Sequence, residues 1–183
     1  MAAATSGTWI ALLRGINLGA RNKVAMPDLR ELLSDLGAED VTTYVQSGNV
    51  LFRSAGARDE LTRAIENEIR SRFGHDVTVL LRTNEELAAV AAGNPFAADE
   101  PEVTKLHATF LVERPAPGRV SALEEKQFEP DRFHVTSDVV YLHCPEGYGR
   151  SKLSNAFFEK QLGVAATTRN WRTVTTLAEL ANA

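Results

Sequence analysis

Apolar residues recur along this chain with two periods, and each change of period marks an element. Trp9-Ile10-Ala11-Leu12-Leu13 is an unbroken apolar run, which predicts a buried strand. A polar loop from Arg14 to Lys23 follows, carrying Gly15 and Gly19. Leu29, Leu32, Leu33 and Leu36 then fall at i, i+3, i+4 and i+7, one face of a helix, with Pro27 in its first turn and Gly37 past its end. Asp40–Gln46 and Asn49–Arg53, flanking Ser47-Gly48, read as a hairpin. Arg58–Phe73 is a second helix with Leu61, Ala64, Ile65 and Ile69 inward, closed by Gly74. In Asp76–Arg82, Val77, Val79 and Leu81 alternate to one face of a strand. Thr83 and Glu86 have the spacing of a capping box, opening a third helix that runs to about Ala92 and breaks at Asn94-Pro95.

The same order then begins again. Lys105–Val112 is a strand, and Pro115–Lys126 holds a turn and a short helix. Arg132–Val135 and Val139–His143 are strands. Lys152–Leu162 has Leu153, Phe157, Phe158 and Leu162 at helical spacing, with Ser151 as its cap. Ala165–Thr168 is a short strand, and Asn170 caps a last helix carrying Val174, Leu177 and Leu180. The order βαββαβα thus occurs twice, without residue-level identity between the halves. It is the order of a split βαβ, or ferredoxin-like, unit, which predicts an α+β protein of two such units in tandem, each an antiparallel sheet with helices on one face. The expected boundaries are 9–96 and 103–183, with an acidic linker at 97–102 and a polar tail at 1–8. Within each unit the loops after the first and third strands are expected at one end of the sheet. That would put Glu113–Arg119 beside Cys144–Lys152, and the Ser47–Asn49 turn at the far end from the Arg14–Lys23 loop.

Composition narrows the classes. With 183 residues and 44% apolar, the chain can bury a sizeable core. A net charge of −4 argues against a surface that is basic all over, and so against tight sequence-independent nucleic-acid binding. The lone cysteine, Cys144, can make no internal disulfide, which fits a reducing compartment. No run of about 18 apolar residues is present, so no membrane span is expected. The tail lacks the charged and apolar regions of a signal peptide. A cytoplasmic protein, monomer or homodimer, is the expectation. No Cys/His spacing suits zinc and the carboxylates are scattered, so no metal and no cofactor are expected.

Three stretches could carry chemistry. In the first loop, Arg14, Arg21 and Lys23 with Asn17 and the backbone near two glycines could hold a phosphate or carboxylate. Otherwise Arg14 pairs with an acid and the glycines serve turns. Gly149-Arg150-Ser151-Lys152 puts two cations at a helix start, suited to an anion or simply solvated. It is not a phosphate-binding P-loop, because Cys144 stands where that motif needs glycine and Arg150 where it needs lysine. Arg169-Asn170-Trp171-Arg172 could stack a ring and bind its phosphate, or Trp171 could be a core anchor.

Leu12–Asn17 with Asn22-Lys23-Val24 and Met26, Thr43-Tyr44 with Gln46–Val50, Gly149–Leu153, and Ala166–Thr173 together resemble an uncharacterised bacterial family, domain of unknown function 1697, from end to end. The resemblance implies no established activity, cofactor or catalytic residue, and points to these four motifs as the places to look. The first expectation is a binding module for a phosphorylated or otherwise anionic ligand, a nucleotide or a short RNA. RNA is weakened by the acidic balance and by the lack of an aromatic recognition motif on Asn49–Arg53. The alternatives are an interaction or structural protein whose motifs hold the two units together, and an enzyme acting on a phosphate ester. The enzyme reading lacks a recognisable nucleophile, metal set or acid–base pair.

Overall fold

The computed structural model describes residues 6–183. The first half runs β1 (Gly7–Leu13), α1 (Met26–Asp35), β2 (Glu39–Tyr44), β3 (Asn49–Ser54), α2 (Arg58–Phe73), β4 (Val79–Thr83) and α3 (Asn84–Ala92). The second runs β5 (Leu106–Leu111), α4 (Pro117–Glu124), β6 (Arg132–Val135), β7 (Val139–His143), α5 (Asn155–Leu162), β8 (Ala166–Asn170) and α6 (Trp171–Ala181). The strands form two four-stranded sheets, β2-β3-β1-β4 and β6-β7-β5-β8, and every pairing is antiparallel. The protein is therefore α+β, with two ferredoxin-like units in tandem. One compact unit comprises the residues up to Ala88 together with Leu177–Ala183; the other is Ala89–Thr176.

In each unit two helices pack on one face of the sheet. In the first, Leu29, Leu32 and Leu33 of α1 and Ile65 and Ile69 of α2 meet Ala11, Leu13, Val50, Phe52, Val79 and Leu81. In the second, Leu123, Phe158 and Leu162 meet Leu111, Val135, Val140 and Leu142. Local chemistry sets the helix ends. Gly74 and Gly163 take left-handed conformations after α2 and α5. At α3 the capping box forms in full: the Glu86 N–H donates to Thr83 Oγ1 at 3.2 Å, and the Thr83 N–H donates to Glu86 Oε2 at 3.0 Å.

Three expectations are corrected. Of the tail at 1–8, residues 1–5 lie outside those described, while Gly7 and Thr8 belong to β1, opposite Ser54 and Arg53. Helix α5 starts at Asn155 and not Lys152, and its cap is Ser154, which accepts from the Phe157 N–H at 3.2 Å. Ser151 serves elsewhere: its hydroxyl donates to Asp131 at 2.7 Å and accepts from the Leu153 N–H.

The third correction concerns the ends of the sheets. Because β1 and β3 are antiparallel neighbours, with Leu12 opposite Asn49, the loop leaving β1 meets the turn entering β3. The Arg14–Lys23 loop and the 45–48 turn therefore share an end of the first unit. In the second unit Leu106 pairs with His143, and His107 with Asn170, so residues 144–152 and the end of β8 gather at the start of β5. The loop from Glu113 to Arg119 leaves the opposite end.

The turn between β2 and β3 is tightly fitted. Gly48 has φ +80°, its carbonyl accepts from the Leu13 N–H at 2.8 Å, and a Cβ there would sit 2.8 Å from Leu13 Cβ and Ile16 Cδ1. Gly48→Ala is expected to lower stability by about 2–4 kcal/mol, combining left-handed strain with overpacking. Urea unfolding followed by circular dichroism measures it, with Gly37→Ala as a comparison where φ is also positive but nothing lies within 4 Å.

Candidate functional site

The first loop is built by its asparagines. Asn17, at φ +54°, donates from its amide to the Val24 and Gln46 carbonyls at 2.8 and 2.9 Å, and its Oδ1 accepts from the Val24 N–H at 2.9 Å. Asn22, at φ +48°, donates to the Gly15 carbonyl. One side chain thus closes the loop on itself and ties it to the neighbouring turn, and short amides suit left-handed positions. Asn49, fully buried, ties the turn from inside by donating to the Tyr44 carbonyl and the Ser47 hydroxyl. Arg14 is half-buried, and its backbone N–H donates to the Thr78 carbonyl at 2.9 Å. Arg21 and Lys23 are exposed.

In the second unit, Arg150, Ser151 and Lys152 line a cavity of about 330 Å³ that also holds Glu129, Asp131 and Glu146. Its charge is mixed. Arg150 ends a short 3-10 turn, Tyr148–Arg150, that places the Tyr148 ring against His107, with centroids 4.5 Å apart. Residues of the last motif divide. Arg169 is 7% exposed; its guanidinium donates to the Thr167 hydroxyl at 2.7 Å and to the Thr168 carbonyl at 3.1 Å, and burial pulls its pKa down to about 10. Trp171 is buried and meets Tyr141 edge-on, so its ring is a core anchor with no open face for a base. Asn170 Oδ1 accepts from the Thr173 N–H at 2.9 Å, capping α6. Arg172 is exposed.

Asn170 and Arg172 face a second cavity, of about 380 Å³, with Val103, Thr104 and His107. His107 is 8% exposed, and its Nδ1 makes no hydrogen bond. Burial drives its pKa down to about 4, so the ring is neutral at physiological pH and can donate from one nitrogen and accept at the other. Antiparallel registry brings these groups together. His107 pairs with Asn170 across β5 and β8, and the turn after β7 lays Tyr148 on the imidazole. The sequence shows His107 only as a polar position on a strand, and nothing in the spacing links it to Asn170, 63 residues away.

His143 makes a separate polar cluster. Its Nε2 lies 2.9 Å from Glu100, its Nδ1 lies 3.2 Å from the Arg132 guanidinium, and Phe96 stacks against the ring. The hydrogen bond from His143 holds the Glu100 carboxyl below its ordinary range. Residues 96–100 are thereby fastened to β7. Cys144 is fully buried and burial pushes its thiol pKa up, which keeps it protonated. No cluster of three or more His, Cys, Asp or Glu able to hold a metal occurs among the described residues. No helix among them is long and apolar enough to cross a membrane.

The depressed pKa of His107 has a sign. The unfolded chain takes up a proton near the ordinary value of 6.5, while the folded chain does so only near 4. The unfolded state therefore binds more protons in that window, and stability falls as pH drops through it. Melting temperatures measured from pH 7 to 4 are expected to fall less steeply in His107→Gln than in the unaltered protein. For the first loop, Asn17→Ala is expected to cost about 2 kcal/mol, from three lost hydrogen bonds, read by urea unfolding.

Residues 7–141 match the family described as "Protein of unknown function (DUF1697)". The chain belongs to that family. It is also similar in fold to a solved structure described as conserved bacterial protein SP0830 from Streptococcus pneumoniae, with a TM-score of 0.78 and 22% identity over 97% of this chain and 99% of that one. No curated protein matches the chain.

Proposed function

We propose that this member of the DUF1697 family is a binding module for a small phosphorylated ligand, held in the second unit by His107, Asn170 and Arg172. One observation carries the reading: a buried, neutral imidazole lines an open cavity whose rim bears an exposed guanidinium. The neutral ring suits a cavity wall, because it can present a donor or an acceptor without a buried charge. With Asn170 Oδ1 already accepting from the Thr173 N–H, its amide nitrogen is left to donate, as does Arg172. Donors dominate, which favours an anion.

The size of the cavity, about 380 Å³, suits a nucleoside monophosphate or a sugar phosphate. A short RNA is less well served, because Trp171 is buried and offers no stacking face. Asn17, Asn49 and Arg169 form hydrogen bonds that shape their own units. We assign them to structure and retain Arg172, Asn170 and His107 for the ligand. An enzyme reading gains no support from Cys144, which is buried and protonated.

Isothermal titration near pH 7 with orthophosphate, ribose 5-phosphate, adenosine monophosphate and a short single-stranded RNA tests the proposal. At least one small phosphorylated compound is expected to bind. Arg172→Ala is expected to weaken that binding at least tenfold without changing the unfolding transition, since Arg172 is exposed. Binding that survives unchanged in Arg172→Ala, or no binding by any of the four compounds, would overturn the reading.

A further inference from the structure

The first unit carries a feature that the phosphate site leaves unexplained. Leu18 and Val45 are the two most exposed large hydrophobic residues among those described, at 66% and 51%. They lie on the two segments that Asn17 ties together, next to Asn17 itself and to Gln46. Val45 is also held at φ +51°, a conformation that disfavours a β-branched residue. Nothing about burial rewards that strain, since the side chain points largely into solvent. Strain kept at an exposed position of a closed loop is a mark of a surface built for contact. Charge adds a direction. Residues 14–24 and 43–50 contain Arg14, Arg21 and Lys23 and no carboxylate, in a chain of net charge −4.

We propose that the paired loops 17–23 and 45–48 are a docking surface for an acidic protein segment that presents an aliphatic side chain between its carboxylates. The two exposed aliphatic groups would receive that side chain, and Arg21 and Lys23 would pair with the flanking acids. A protein partner is favoured over nucleic acid because the exposed apolar groups are aliphatic, and bases stack on aromatic rings. It is favoured over a lipid surface because the backbone is fixed by side-chain hydrogen bonds and left-handed residues, and fixed geometry serves shape complementarity.

The test is selection of random twelve-residue peptides displayed on phage against the full chain, with affinities of enriched peptides then measured by fluorescence anisotropy. Enriched peptides are expected to combine Asp or Glu with Leu, Ile or Val. Their affinity is expected to fall at least tenfold in Leu18→Ser and in Lys23→Glu, and to fall with added salt. Val45→Asn separates contact from structure. Asparagine tolerates the left-handed backbone, so this variant is expected to melt higher than the unaltered protein and yet bind the peptides more weakly. No enriched acidic–aliphatic peptide, or peptides that bind all three variants as well as the parent, would overturn the proposal. So would loop-dependent binding of phosphatidylserine vesicles or of a single-stranded oligonucleotide in the absence of peptide binding.

Discussion

Each sheet is organised by a central strand with antiparallel neighbours on both sides, β1 between β3 and β4, and β5 between β7 and β8. This pairing does more than bury apolar area. Where two neighbours run in opposite senses, the segment leaving one meets the segment entering the other. The Arg14–Lys23 loop is thereby set against the 45–48 turn, and the Tyr148 turn against the start of β5. Reverse either pairing and the groups that now converge would lie at opposite ends of a strand, at about 3.3 Å per residue of separation.

Polar residues in these loops fall into two classes, separated by what their side chains touch. Asn17, Asn22 and Asn49 turn their amides to the first loop and to the turn between β2 and β3, mostly to backbone carbonyls. Irregular backbone that is partly buried must find partners for its N–H and C=O groups, and short amides provide them locally. Arg169 belongs with this class, its guanidinium turned to a hydroxyl and a carbonyl of its own strand. Arg21, Lys23 and Arg172 remain solvent-facing.

Two strand histidines, His143 and His107, show how surroundings assign different states to one side chain. His143 has an acid on one nitrogen and a guanidinium on the other, and its bond to Glu100 fastens residues 96–100 to the sheet. His107 has a tyrosine ring on its face and no partner at Nδ1, so burial acts on it unopposed and keeps it neutral. His107 lines a cavity, whereas both ring nitrogens of His143 are engaged by neighbouring side chains.

The sequence by itself determined the elements and their order. The leucine stripe of α1, the capping box at Thr83 and Glu86, and the glycines after α2 and α5 are local signals, and each acts within a turn or two of where it stands. From the order βαββαβα, repeated, the ferredoxin-like sheets followed. Local signals misled where two serines competed for one cap: Ser151 has the right chemistry, but Asp131 takes its hydroxyl and Ser154 opens α5. What only the tertiary structure decided was which loops meet and which charges are spent. Those depend on pairings such as His107 with Asn170 and Leu12 with Asn49, between residues far apart in the chain. No local pattern encodes them, because registry is set by burial of whole strand faces and not by any one residue.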